Sequence, residues 1–139
     1  MDAHPTESER RTATVMFADI SGFTAMSERI DPEEVTAVVN ECFSLMGKVI
    51  ERHGGTIDKF MGDCIMVLFG VPKAMEDAPK RAVECALEMR GVLKEFSQRK
   101  KLDLPLDIHI GINSGELIYG EIGSEQKKQH TVMGDTVNV

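Results

Sequence analysis

Apolar and polar positions divide the chain into alternating strands and amphipathic helices. After a polar stretch over residues 1–11, Thr12 to Ile20 (TATVMFADI) is a β-branched, apolar run with the character of a strand buried on both faces. Ser21 and Gly22 break it, and a short helical turn begins in SGFTAM. The helix that follows has clear start and stop signals. Asp31 suits the N-cap, Pro32 the first helical position, and Glu33 and Glu34 the first turn, where the helix dipole favours anions. Val35, Val38, Cys42, Leu45, Met46, Val49 and Ile50 recur at helical spacing, and Gly54 fits the left-handed position past the last turn.

Gly55 to Met61 and Cys64 to Phe69 read as two strands joined at Gly62-Asp63. A second amphipathic helix is expected from Met75 to Lys100, with Ala82, Cys85, Ala86, Met89, Leu93 and Phe96 along one side and Pro79 in its first turns. Leu106 to Asn113 and Glu116 to Ile122 then read as a strand pair turning at Ser114-Gly115, with a loop over SEQKKQ and a short strand at His130 to Met133. The order implies an α+β fold: a ferredoxin-like βαββαβ antiparallel sheet with helices on one face, plus an extra hairpin strand. The expected boundaries are a disordered N-terminal segment, residues 1–11, and one domain over residues 12–139.

Composition narrows the function. With 139 residues, 42% apolar and 28% charged, the chain suits one soluble globular domain. Its formal charge of −7 disfavours a nucleic-acid backbone or an anionic membrane as partner. A nucleotide stays open, because a bound divalent cation supplies positive charge locally. An RNA-binding module of the same element order would need basic residues and stacking aromatics on its sheet, and aromatics make up only 5%. Cys42, Cys64 and Cys85 lack CxxC spacing and fall in apolar stretches, as buried reduced thiols of a cytoplasmic protein would. No stretch reaches the ~18 apolar residues of a membrane span, and none of the first ten residues forms a signal peptide's apolar region. Direct membrane contact is not expected from this segment, although a longer parent protein could be tethered.

Two carboxylates stand out. Asp19 ends an apolar strand and Asp63 sits in the turn of the next hairpin, so in this fold both could converge at one edge of the sheet. Paired carboxylates with few other ligands suit Mg²⁺ or Mn²⁺, which keep water and substrate phosphates in their remaining positions. Equally, Asp19 could cap the following helix and Asp63 could serve only the turn. ISGFT after Asp19 offers a glycine and free backbone N–H groups at a helix start, an anion site beside a candidate metal ligand. Asp58 and Lys59 read on their own as solvated strand residues. Thr131 and Asn138 flank MGDTV and carry hydrogen-bonding side chains, and Asp135 suits a helix N-cap.

VMFADISGFT, GGTIDKFMGDCIMVLFG, IGINSGE and VMGDTVN, in this order and spacing, resemble the class III adenylate/guanylate cyclase catalytic domain over residues 12–139. The resemblance implies an adenylate cyclase that converts ATP to 3′,5′-cyclic AMP and pyrophosphate with two Mg²⁺ or Mn²⁺ ions. Asp19 and Asp63 match the family's metal-binding aspartates. Backbone groups around Ile20, Gly22 and Phe23 match the phosphate-holding segment, with Ile20 also at the metal. Lys59 matches the lysine that contacts the purine, and Asn138 the asparagine that orients the ribose. Thr131 stands where an aspartate is usual, as in the subgroup resembling bicarbonate-responsive adenylyl cyclases.

The family's transition-state arginine would follow Asn138 by four residues, beyond Val139. The resemblance therefore implies a C-terminally incomplete domain, weakly active or inactive as given. It also implies a head-to-tail homodimer with shared active sites, one half giving the aspartates and the other Lys59, Thr131 and Asn138. A diguanylate-cyclase-like palm would need a GG[DE]EF hairpin that GGTIDKFMGD lacks. A degenerate cyclase-homology dimerisation or regulatory module should have lost Asp19, Asp63 or Lys59, and all are present.

Overall fold

The computed structural model of the chain describes residues 9–102, 106–122 and 129–133. In chain order the elements are β1 (Glu9–Ser21), α1 (Phe23–Ser27), α2 (Pro32–Arg52), β2 (Thr56–Met61), β3 (Cys64–Phe69), α3 (Ala78–Arg99), β4 (Asp107–Ile122) and β5 (Gln129–Met133). The strands form one antiparallel sheet in the order β2-β3-β1-β4-β5. This is the ferredoxin-like plan expected from the element order, but the strand added to it is β5 and not the Glu116–Ile122 hairpin strand, which is part of β4.

The apolar run of β1 occupies the middle of the sheet and is buried from both sides. Met16, Ala18 and Ile20 face the helices with Ile65, Val67 and Phe69 of β3. There they pack on Cys42, Met46, Val49 and Ile50 of α2 and on Ala82, Cys85, Met89, Leu93 and Phe96 of α3, the stripes that the helical spacing marks out. On the opposite face Ala13 and Val15 cluster with Met66, Leu68, Val71 and Leu117.

Besides one-residue shifts at element ends, three features differ from the sequence expectation, each for a local reason. The strand begins at Glu9, so residues 9–11 leave the expected disordered segment and pair with Tyr119, Ile118 and Leu117. Arg11 holds that end down, donating from Nη2 to the carbonyls of Gly70 and Pro72 at 3.1 and 2.9 Å. Helix α3 starts at Ala78, not Met75, because Asp77 takes the N-cap and Pro79 falls in the first turn.

The third difference concerns the hairpin expected at Ser114-Gly115, which is absent; β4 runs unbroken through both residues. Ser114 pairs with Thr14 and Gly115 with Ala13. The Ser114 and Thr14 hydroxyls meet at 2.7 Å. A long neighbouring strand thus carries a Ser-Gly pair through a position that would otherwise favour a turn.

Both long helices end in the same hydrogen-bonded turn. After α2, Gly54 N–H donates to the Glu51 carbonyl at 3.0 Å and Gly55 N–H to Ile50 at 2.9 Å, with Gly54 at φ 79°. After α3, Lys101 N–H donates to Gln98 and Leu102 N–H to Ser97, both at 3.1 Å. At the start of α2, Asp31 has the extended N-cap backbone but makes no side-chain capping bond, so its expected capping role is positional only.

Candidate active site

The candidate site forms where β1 runs out. Asp19 lies two residues from the end of β1 and pairs with Cys64 of β3 on one side and His109 of β4 on the other. Asp63 is the turn residue just before Cys64, and Gly62, at φ 65°, makes that turn possible. One further bond closes the arrangement: Ile20 N–H donates to the Asp63 carbonyl at 3.1 Å. Asp19 and Asp63 are therefore brought to the same end of neighbouring strands, and both are solvent-exposed. Neither makes a capping bond to α1, whose N-cap position belongs to Gly22.

Alternation along β1 decides the rest. Ile20 is buried toward the helices, so Asp19 projects from the opposite face, in one row with Cys64 and His109. The Cys64 thiol is raised above its ordinary value, first by burial and then by the negative charge of Asp19. Gly22 then turns the chain at φ 110°, and Met26 N–H closes α1 on the Gly22 carbonyl at 3.0 Å. A helix start leaves its first N–H groups without partners inside the helix, here those of Phe23 and Thr24. Phe23 anchors the turn, its ring buried and 6.1 Å from that of Phe43 in α2.

Lys59 lies on β2, two strands from Asp19, opposite Met66 and half exposed. A bulge between Ile57 and Lys59 turns Asp58 inward. The Asp58 side chain is 10% exposed, with its Oδ2 3.9 Å from Lys59 Nζ. The solvated position expected for Asp58 is thus corrected by an irregularity that alternation cannot reveal. Thr131 pairs with Gly120 on β5, the edge strand opposite β2. Lys59 and Thr131 are not on neighbouring strands. Asn138 and Asp135 lie outside the described residues.

His109 was not singled out by sequence and is the exposed cross-strand neighbour of Asp19. Only the β1–β4 register places it there. Among the described residues, no group of three or more His, Cys, Asp or Glu side chains forms a metal site. The donor set on hand is the carboxylate pair, which fits a hard divalent cation that keeps water and phosphate oxygens as its other ligands.

Two exposed carboxylates beside a glycine turn are a donor set for a divalent cation and the phosphates it carries. Residues 6–139 match the family model of the adenylate and guanylate cyclase catalytic domain, and the chain belongs to that family. It is 38% identical to adenylate cyclase 1 of Rhizobium meliloti, over 94% of this chain and 20% of that protein. To the adenylate cyclase of Anabaena cylindrica it is 36% identical, over 93% of this chain and 26% of the other. The chain thus spans a fifth to about a quarter of these curated relatives' length.

Among solved structures, the adenylyl cyclase CyaB from P. aeruginosa superposes with a TM-score of 0.88 at 37% identity, covering 95% of this chain and 70% of that one. The guanylyl cyclase Cya2 superposes at 0.84 with 48% identity, covering 94% and 68%. Adenylyl and guanylyl cyclases both stand among the similar structures.

Proposed function

We propose that this domain closes ATP into 3′,5′-cyclic AMP and releases pyrophosphate, working with two Mg²⁺ or Mn²⁺ ions. The observation that carries the reading is the Ile20 N–H to Asp63 carbonyl bond at 3.1 Å, which fixes the Asp63 turn against the strand end bearing Asp19. Asp19 and Asp63, with the backbone at Ile20, would hold the cations. Bound there, the metals would polarise the α-phosphate, favour the ionised ribose 3′-hydroxyl and neutralise the leaving pyrophosphate.

The chain's own groups have separate tasks. N–H groups after Gly22, at Phe23 and beyond, orient the β- and γ-phosphates. The 3′-oxygen bonds to the α-phosphorus as the bond to the bridging oxygen breaks, and the hydroxyl proton passes to solvent. Lys59 and Thr131 select adenine, and Asn138 orients the ribose. As the family resemblance implies, one copy gives Asp19 and Asp63 and the other Lys59, Thr131 and Asn138, so two copies in head-to-tail array share two sites. This segment works in cyclic-nucleotide signalling from the cytoplasm, and among its described residues no helix is long and apolar enough to cross a membrane.

The test measures cyclic nucleotide formation from ATP and GTP side by side in Mn²⁺, for the chain and for the longest form of the protein that carries it. Asp19→Ala should lower turnover of ATP at least ~100-fold, with the melting temperature nearly unchanged because Asp19 is exposed. Preference for GTP would refute the roles of Lys59 and Thr131 while keeping the reaction. A folded dimer of the longest form that turns over neither nucleotide would instead mark a degenerate regulatory module, whereas weak or no turnover by the 139-residue chain alone is expected.

A further inference from the structure

A cavity of about 350 Å³ opens among the helices, between α1, the first turns of α2 and the end of α3. Met26, Ile30 and Leu102 make its floor apolar, and Arg29, Lys100 and Lys101 stand at its rim with Glu34. Three cations against one carboxylate is a local excess of positive charge in a chain of net charge −7. Lys100 is paired with Glu41 at 2.7 Å. Among the described residues, Arg29 and Lys101 have no ion-pair partner. Unpaired cations above an apolar floor are the complement of an anionic head on a hydrocarbon body.

The backbone supplies an independent sign. Lys101 has φ 55° and is the one non-glycine residue at positive φ among those described. It occupies the same position after α3 that Gly54 occupies after α2, in a turn closed by the same pair of bonds. Glycine adopts that conformation freely, whereas a lysine is strained in it. Strain retained at one helix end and absent from its counterpart marks a side chain kept for what it reaches, and Lys101 reaches the cavity rim.

We propose that this cavity binds a small amphiphile with a single anionic head. The hydrocarbon lies on Met26, Ile30 and Leu102, and the head sits between Arg29 and Lys101. The site needs neither metal nor nucleotide and stands whether or not the domain cyclises ATP. Its floor nonetheless touches the helix that carries the Gly22 turn, since Met26 N–H is bonded to the Gly22 carbonyl.

Methionine-methyl NMR of the 139-residue chain tests it, with the Met26 signal assigned through Met26→Leu. Octanoate, below its micellar concentration, should shift the Met26 methyl saturably. Octanol should bind at least about ten-fold more weakly, and acetate should give no saturation. Arg29→Gln should weaken octanoate binding at least about five-fold without changing the melting temperature. Lys101→Gly should raise the melting temperature and weaken octanoate binding to a similar degree. No saturable shift, equal affinity for octanol, or a stabilised Lys101→Gly chain with unaltered octanoate affinity would each overturn the proposal.

Discussion

At the level of single residues, burial governs cysteine chemistry here. Cys42 and Cys85 lie in the core, and burial pushes both thiols up to about 12, with Glu41 and Glu88 adding in the same direction. Cys64 is only half-buried and shifted the same way. Since the thiolate is the reactive form, a maleimide near neutral pH should modify no more than one thiol in the folded chain, at Cys64, and all three once it is unfolded. Prompt labelling of Cys42 or Cys85 in the native protein would contradict this packing.

The sign with pH follows from the same shifts. Folding holds these two thiols neutral, while the unfolded chain ionises them near their ordinary value of 9.0. Their contribution is complete below that value and lost as pH rises toward the folded value. Urea midpoints should therefore fall from about pH 8 to about pH 11, and fall less steeply in Cys85→Ala.

Between elements, the polar link from α2 to α3 is short and specific. His53, the residue that ends α2, meets Glu88 of α3 at 2.7 Å, and Arg52 bonds the same carboxylate. Glu88 is held below the ordinary carboxylate value, first by its bond to His53 and then by Arg52. The stability it lends is present above that ordinary value and disappears as pH falls through the folded one. Glu88→Gln should flatten the loss of stability on acidification between about pH 5 and about pH 3, read from urea midpoints. An unchanged acid slope would mean that the link does not hold the helices.

The same scale separates what was legible in the sequence from what was not. Helices α2 and α3 were legible because their apolar stripes, Pro32 and Gly54 are local signals that tertiary packing reinforces. The closeness of Asp19 and Asp63 was legible because the element order makes β1 and β3 neighbours. The unbroken course of β4 was not, since a Ser-Gly pair signals a turn unless a long partner strand holds it extended. His109 and Asp58 were hidden for a related reason. One depends on register between distant strands, the other on a bulge.

For the molecule as a whole, the proposed division of labour between copies can be tested by mixing. If sites are shared, Asp19→Ala and Lys59→Ala chains damage different halves of the same site. An equal mixture places both lesions in one site of each heterodimer and leaves the other intact. Random pairing should then restore about a quarter of the unmutated activity, measured as cyclic AMP formed by the longest active form. Variants that remain as inactive together as apart would indicate sites built within one chain.

The position of β1 has one more consequence, in the order of events during synthesis. Its partners are β3 and β4, and Thr14 finds Ser114 only 100 residues later. The strand that carries Asp19 is made before either of its neighbours, and its second edge stays uncovered until β4 follows. Its first neighbour arrives with Cys64, bringing the Asp63 turn, so the carboxylate pair can assemble while β4 is still being made. During that interval an apolar strand stands with one edge open. A nascent chain stalled between β3 and β4 would present that open edge to aggregation and to chaperone capture.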